Sequence, residues 1–194
     1  MLESTRSRAE KMKLTHMRFQ LTPMEEIPFP DQNFDAVTCR YGLMHAADAM
    51  AGLRHARRVL RPGKKAAFMV HGPAHRNHIW STLHSTAAEF FGIDNKPRIA
   101  THFRYSGEGE LSALMNEAGF MLVTEKEISD VQVKKKSGKL WTPALQRGYG
   151  ERLGKLDEAE LARLDQAMEA AFEEFLDGDD YHLRSAQIIG WGQA

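Results

Sequence analysis

An α/β layered fold with a largely parallel sheet is predicted by two features of the sequence. Short apolar runs of strand length recur at 34–39, 64–72, 120–125 and 185–191. Between them, apolar residues recur at helical spacing, and such alternation builds a sheet with crossover helices. A third observation, the length of 194 residues, fits one domain, 1–194, with a real hydrophobic core.

Taken in order, residues 1–14 lack Gly and Pro and read as a helix, with Leu2, Ala9, Met12 and Leu14 on its apolar face. A short apolar run at 17–21 precedes a polar turn. The Pro30-Asp31-Gln32-Asn33 turn leads into the buried-strand candidate 34–39. Met50, Leu53, Ala56, Val59 and Leu60 mark a helix over 47–60 that stops at Arg61-Pro62-Gly63. The second strand is 64–72. Ile79, Trp80, Leu83, Ala87, Phe90 and Phe91 mark the helix 77–91, and 92–109 reads as loop from its Gly and Pro content. A helix 110–118 stops at Gly119 before a strand 120–125. Residues 134–139 read as a solvated turn. Leu161, Leu164, Met168, Ala171, Phe172 and Phe175 set the helix 157–176, and a strand at 185–191 closes the chain.

Composition narrows the function classes. With 26 Lys+Arg against 26 Asp+Glu, the formal net charge is zero, which argues against nucleic acid as a partner held by bulk electrostatics. Cys39 is the single cysteine, so neither an intramolecular disulfide framework nor a cysteine-built zinc site is expected. No apolar run reaches the ~20 residues of a membrane span, and the start, MLESTRSRAEKMK, reads as no signal peptide. A cytoplasmic setting is the expectation. His71, His75, His78 and His84 fall close together, but His71-Gly72-Pro73 breaks any helix, and the segment reads as a polar helix start, not a metal site. Asp177-Gly178-Asp179-Asp180 lacks the spaced carboxylates of a calcium loop and reads as a turn. No metal is expected.

Four motifs carry a resemblance. Ile27-Pro28-Phe29 forms a turn, Phe34-Asp35-Ala36-Val37 a strand, Gly42-Leu43-Met44-His45 a following segment, and Arg58-Val59-Leu60-Arg61-Pro62-Gly63 a helix end. Together with GPAHRN at 72–77 and Ala118-Gly119-Phe120, they resemble the class I S-adenosylmethionine-dependent methyltransferases, in the branch around the ubiquinone/menaquinone C-methyltransferases. The resemblance implies a Rossmann-like sheet with helices on both faces, and matches the four strands to the family's fourth, fifth, sixth and seventh. It implies S-adenosylmethionine as cofactor and a small-molecule acceptor, with the segments 73–118 and 126–180 near the substrate side. Cys39, Arg40 and Tyr41 would then face the cofactor's methionine part, and His45 sits where a general base would.

The same resemblance marks departures. The family's Gly-x-Gly-x-Gly turn and ribose-binding carboxylate have no counterpart here, since Met1-Leu2-Glu3 matches residues just past the second strand. Pro23 stands where the family has an acidic residue near the adenine, Lys64 follows Pro62-Gly63 in place of a second glycine, and His55 replaces an acidic residue. Loss of the first two strands would leave 34–39 as a sheet edge without the Pro or Lys that guard edges. That edge is expected to pair with residues 17–21, with a second copy in a homodimer, or with another protein. The alternative to an enzyme is a pseudo-methyltransferase that binds no cofactor and acts as a binding or oligomerisation module.

Overall fold

The computed structural model describes residues 2–194. In chain order the elements are α1 (Leu2–Lys11), β1 (Phe34–Arg40), α2 (Ala49–Val59), β2 (Leu60–His71), α3 (His78–Phe91), α4 (Lys96–His102) and α5 (Glu110–Glu117). They continue with β3 (Met121–Lys135), α6 (Thr142–Leu153), α7 (Glu158–Phe172), β4 (Leu176–Asp177) and β5 (Asp180–Gln193).

The sheet order is β1-β2-β5-β3, with β4 hairpinned onto β5. β1 and β2 run parallel, from Ala36 beside Lys65 to Arg40 beside Met69. β5 inserts antiparallel between β2 and β3. Three long strands therefore share one direction, yet only one neighbouring pair is parallel, which corrects the expectation of a largely parallel sheet. From the β1 edge across, these are the strands matched to the family's fourth, fifth, seventh and sixth, which is the order the resemblance implies.

Local chemistry explains the framework. Asp48 caps α2, its carboxylate accepting from Ala51 N at 2.9 Å, and Glu25 accepts from Asp48 N at 3.0 Å. α3 ends on Gly92, whose φ of 61° is the left-handed stop that glycine adopts freely. Asp157 and Glu160 form a capping box at the start of α7.

Helices cover both faces. Side chains alternate along a strand, so Phe68, Val70 and Ile188 share one face and pack with Leu53 of α2 and with Leu111 and Met115 of α5. Gly190 permits that contact, because a Cβ there would lie 2.9 Å from the Met115 sulfur. On the other face, Tyr181 and Leu183 pack with Leu83 of α3, Leu145 and Tyr149 of α6, and Leu164, Met168 and Phe172 of α7. Trp141 is fully buried in this second core and donates to Asp165 at 3.0 Å.

Three segments differ from their expectation. Residues 92–109 are not all loop, for α4 forms within them with Pro97 in its first turn, where a missing N–H costs nothing. The strand expected at 120–125 continues to Lys135, and α6 forms inside the next stretch. Residues 17–21 make no ladder with β1, and Leu21 is 82% exposed. The outer edge of β1 therefore has no strand beside it among the described residues.

Candidate functional site at the ends of β1 and β2

In open α/β sheets the carboxyl ends of the strands are where ligands gather. Here β1 and β2 end together. Tyr41 still pairs with the sheet, donating to Met69 O at 2.9 Å, and then turns left-handed with φ 56°. For a bulky residue that conformation costs on the order of 1 kcal/mol, and it lays the ring flat against His71, the last residue of β2, at 4.4 Å and 17°. His71 in turn stacks on His102 from the end of α4, at 4.4 Å and 14°. Trp80 and His84 of α3 close the group, with ring centres 4.8 Å and 5.1 Å from His102.

Asn77 holds the loop that makes this possible. It is buried, donates to Gly72 O and Pro73 O, and accepts from Ala186 N at 3.2 Å. The exit from β2 is thereby tied to β5, which fixes where α3 begins. On the other flank, Arg104 donates to Met44 O and Ala46 O, anchoring the segment after α4 to the 3-10 turn Leu43–His45.

The electrostatics of the group are one-sided. Burial, with the other histidines next, pushes His71 down to about 3. Burial, His102 and Arg98 hold His84 at about 4, and burial, His45 and Arg98 hold His102 at about 4. All three rings are thus neutral near neutral pH. His84 Nδ1 meets the Tyr149 hydroxyl at 3.0 Å, while His71 Nδ1, His84 Nε2 and His102 Nε2 are buried without a partner. Neutral imidazoles with free nitrogens can accept or relay a proton and can hydrogen-bond a polar group that enters. Among the described residues no three His, Cys, Asp or Glu side chains converge as a metal site.

The residues singled out from the sequence fall in and around this group. His45 is exposed at its rim, edge-on to His102 at 6.5 Å. Tyr41 is part of the stack, and the Arg40 guanidinium lies over the Tyr41 ring at 5.1 Å. Cys39 packs, as Tyr41 also does, against the α2–α5 core. Burial raises its thiol above the ordinary value, and Gly42 leaves room for it, since a Cβ there would lie 2.8 Å from Sγ. Of the clustered histidines, His75 is exposed and His78 turns away to accept from Arg184 N and stack on Phe175. His102, which joins His71 to His84, was missed because its segment read as loop.

S-adenosylmethionine would need acceptor side chains and a glycine turn beside β1. Four carboxylates around β1 are engaged: Glu25 by Asp48 N, Asp31 by Arg58, Asp35 by Arg61 and Lys64, and Asp48 by Ala51 N. Pro23 offers the adenine no acceptor side chain, and the 194 residues contain no Gly-x-Gly-x-Gly. The cradle that the resemblance calls for is not among these residues.

The fold has counterparts among known proteins. Residues 1–68 match the model of a methyltransferase domain. An uncharacterized methyltransferase of Bacillus subtilis, YcgJ, is 29% identical over 116 residues, covering 60% of this chain and 43% of YcgJ. The uncharacterized Escherichia coli protein YafE is 33% identical over 131 residues, covering 65% of this chain and 58% of YafE. The ubiquinone/menaquinone biosynthesis C-methyltransferase of Geobacter sulfurreducens is 42% identical over 50 residues, covering 26% of this chain and 20% of the enzyme. The solved structure of YcgJ superposes with a TM-score of 0.56 at 20% identity, covering 100% of this chain and 79% of that one, which establishes a Rossmann-like methyltransferase fold. The chain spans about half the length of the curated relatives YcgJ and YafE.

Proposed function

We propose that this chain, similar in sequence and fold to the class I S-adenosylmethionine-dependent methyltransferases, carries the acceptor-facing side of such an enzyme acting on a small molecule. In this reading the 194 residues do not bind the donor unaided. The observation that carries it is the asymmetry about β1. On its β2 side a ring-lined, neutral floor of Tyr41, His71 and His102 closes the sheet end, which suits a small molecule. On its other side there is an open strand edge among the described residues.

The roles follow from position. The exposed imidazole of His45 is the candidate general base, and the Cys39, Arg40 and Tyr41 backbone would face the donor. The strands that complete the donor side come from a partner beside Phe34 to Cys39, a second copy or another protein. The unpaired outer edge of β1 among the described residues also supports the second reading, a catalytically inactive module that binds or oligomerises through that same edge.

Calorimetric titration with S-adenosylhomocysteine, with the mass in solution recorded in the same buffer, separates the readings. Binding near micromolar by a dimer means that two copies rebuild the donor site. Binding by a monomer sinks the claim that these residues need help. No binding at millimolar ligand leaves the binding module and directs the search to a protein partner.

A further inference from the structure

At the opposite end of the sheet from the histidines lies a cleft of about 530 Å³. Arg54, Arg57 and Arg58 of α2 line it, and their spacing of three and four residues puts them on one side of the helix. Facing them are Leu60 and Pro62 of β2, Ala118 after α5, and Met121 of β3, the last 54% exposed.

The three guanidiniums are not equivalent. Arg58 is fully engaged: it donates to Ile27 O at 2.8 Å, to Phe29 O at 2.8 Å and to Asp31 at 2.7 Å. Asp31 is the acidic side chain in the lining and is taken by Arg58, and Ala194 also borders the cleft, its oxygen accepting from Gly63 N at 3.1 Å. Arg54 and Arg57 are exposed and have no carboxylate partner among the described residues. Arg57 lies against Gly119, which has φ 94°, and a Cβ there would approach the Arg57 Nε to 3.3 Å. The glycine thus leaves the guanidinium its place beside the apolar wall.

We propose that this cleft binds a small amphipathic anion, its oxyanion head held by Arg54 and Arg57 and its apolar body lying along Leu60, Pro62, Ala118 and Met121. A guanidinium presents paired N–H donors matched to carboxylate or phosphate oxygens. Two of them without counter-charge, one helical turn apart in a chain of zero formal net charge, make a local positive field. The apolar wall distinguishes the ligand from a bare inorganic ion, because covering Met121 and its neighbours adds hydrophobic contact that phosphate alone cannot supply.

Hexanoate, hexanol and inorganic phosphate are the probes, titrated at low salt by calorimetry against wild type, Arg54→Gln and Arg57→Gln. Hexanoate is expected to bind with a Kd of about 1 mM or tighter, and each substitution to weaken it about tenfold. Phosphate is expected to bind about tenfold more weakly, and hexanol not detectably. Both arginines are exposed, and thermal melts report that the variants remain folded. Equal binding of hexanol, unchanged binding in both variants, or no hexanoate binding at about 10 mM overturns the proposal. Phosphate binding as tight as hexanoate overturns the amphipathic assignment.

Discussion

The two ends of this sheet hold their basic side chains in opposite ways. At the carboxyl ends of β1 and β2, His71, His84 and His102 are enclosed, and burial keeps them uncharged. At the other end, Arg54 and Arg57 stay in water with their charge, while Arg58 places its donors on two carbonyls and Asp31. The difference lies in the protonation equilibrium of the side chain. An imidazole can discard its proton when water is withdrawn, whereas a guanidinium cannot and must be solvated or fully bonded. An α/β sheet can therefore close one end with histidines and leave the other open with arginines without burying a bare charge.

Acid should break this contrast with the largest effect. In the unfolded chain the three histidines titrate near 6.5; in the folded chain they do so at about 3 to 4. Between those limits the unfolded state binds more protons, so the stabilisation is present above pH 6.5 and is lost as pH falls toward 4. The melting temperature should drop on the order of 10 °C from about pH 7 to about pH 4.5. His102→Phe, which keeps a ring in the stack, should flatten that dependence. A variant as acid-sensitive as wild type would mean that the stack is not the source.

The arginine end supplies the smaller tests. Arg58→Ala strands Ile27 O, Phe29 O and Asp31, and should cost about 2–3 kcal/mol in denaturant melts. Arg54→Ala, on the same helix, should change stability by less than about 0.5 kcal/mol. Equal costs for the two would show that α2 tolerates or needs these cations alike, and the distinction between a bonded and a free guanidinium would fail.

Legibility from sequence followed the same division between local and assembled features. β1, α2 and β2 carried short apolar runs and a Pro-Gly stop, signals that act over a few residues. α4 and α6 were not legible, because Pro97, Pro143, Gly148 and Gly150 weigh against a helix when counted singly. Both prolines in fact occupy first turns, where they are tolerated. The far half of β3 carries charge on both faces, as an outer strand exposed on both sides does, and so lacks the apolar run of a buried strand. In the candidate site, Tyr41 and His45 were marked by their place after β1. His102 had no such marker, since its meeting with His71 depends on how α3, α4 and the Asn77-tied loop pack. No spacing rule within one element encodes a contact made between three.

The central position of β5 has a consequence for the order in which the protein can take shape. It lies between β2 and β3 but follows every other strand in the chain. During synthesis, at roughly 5–20 residues per second, β1 and β2 can associate early, while β3 must wait several seconds for the strand that joins it to them. The nascent sheet is thus two separate pieces until its middle emerges, and for that interval the inward edges of β2 and β3 are open to any chaperone or stray strand nearby.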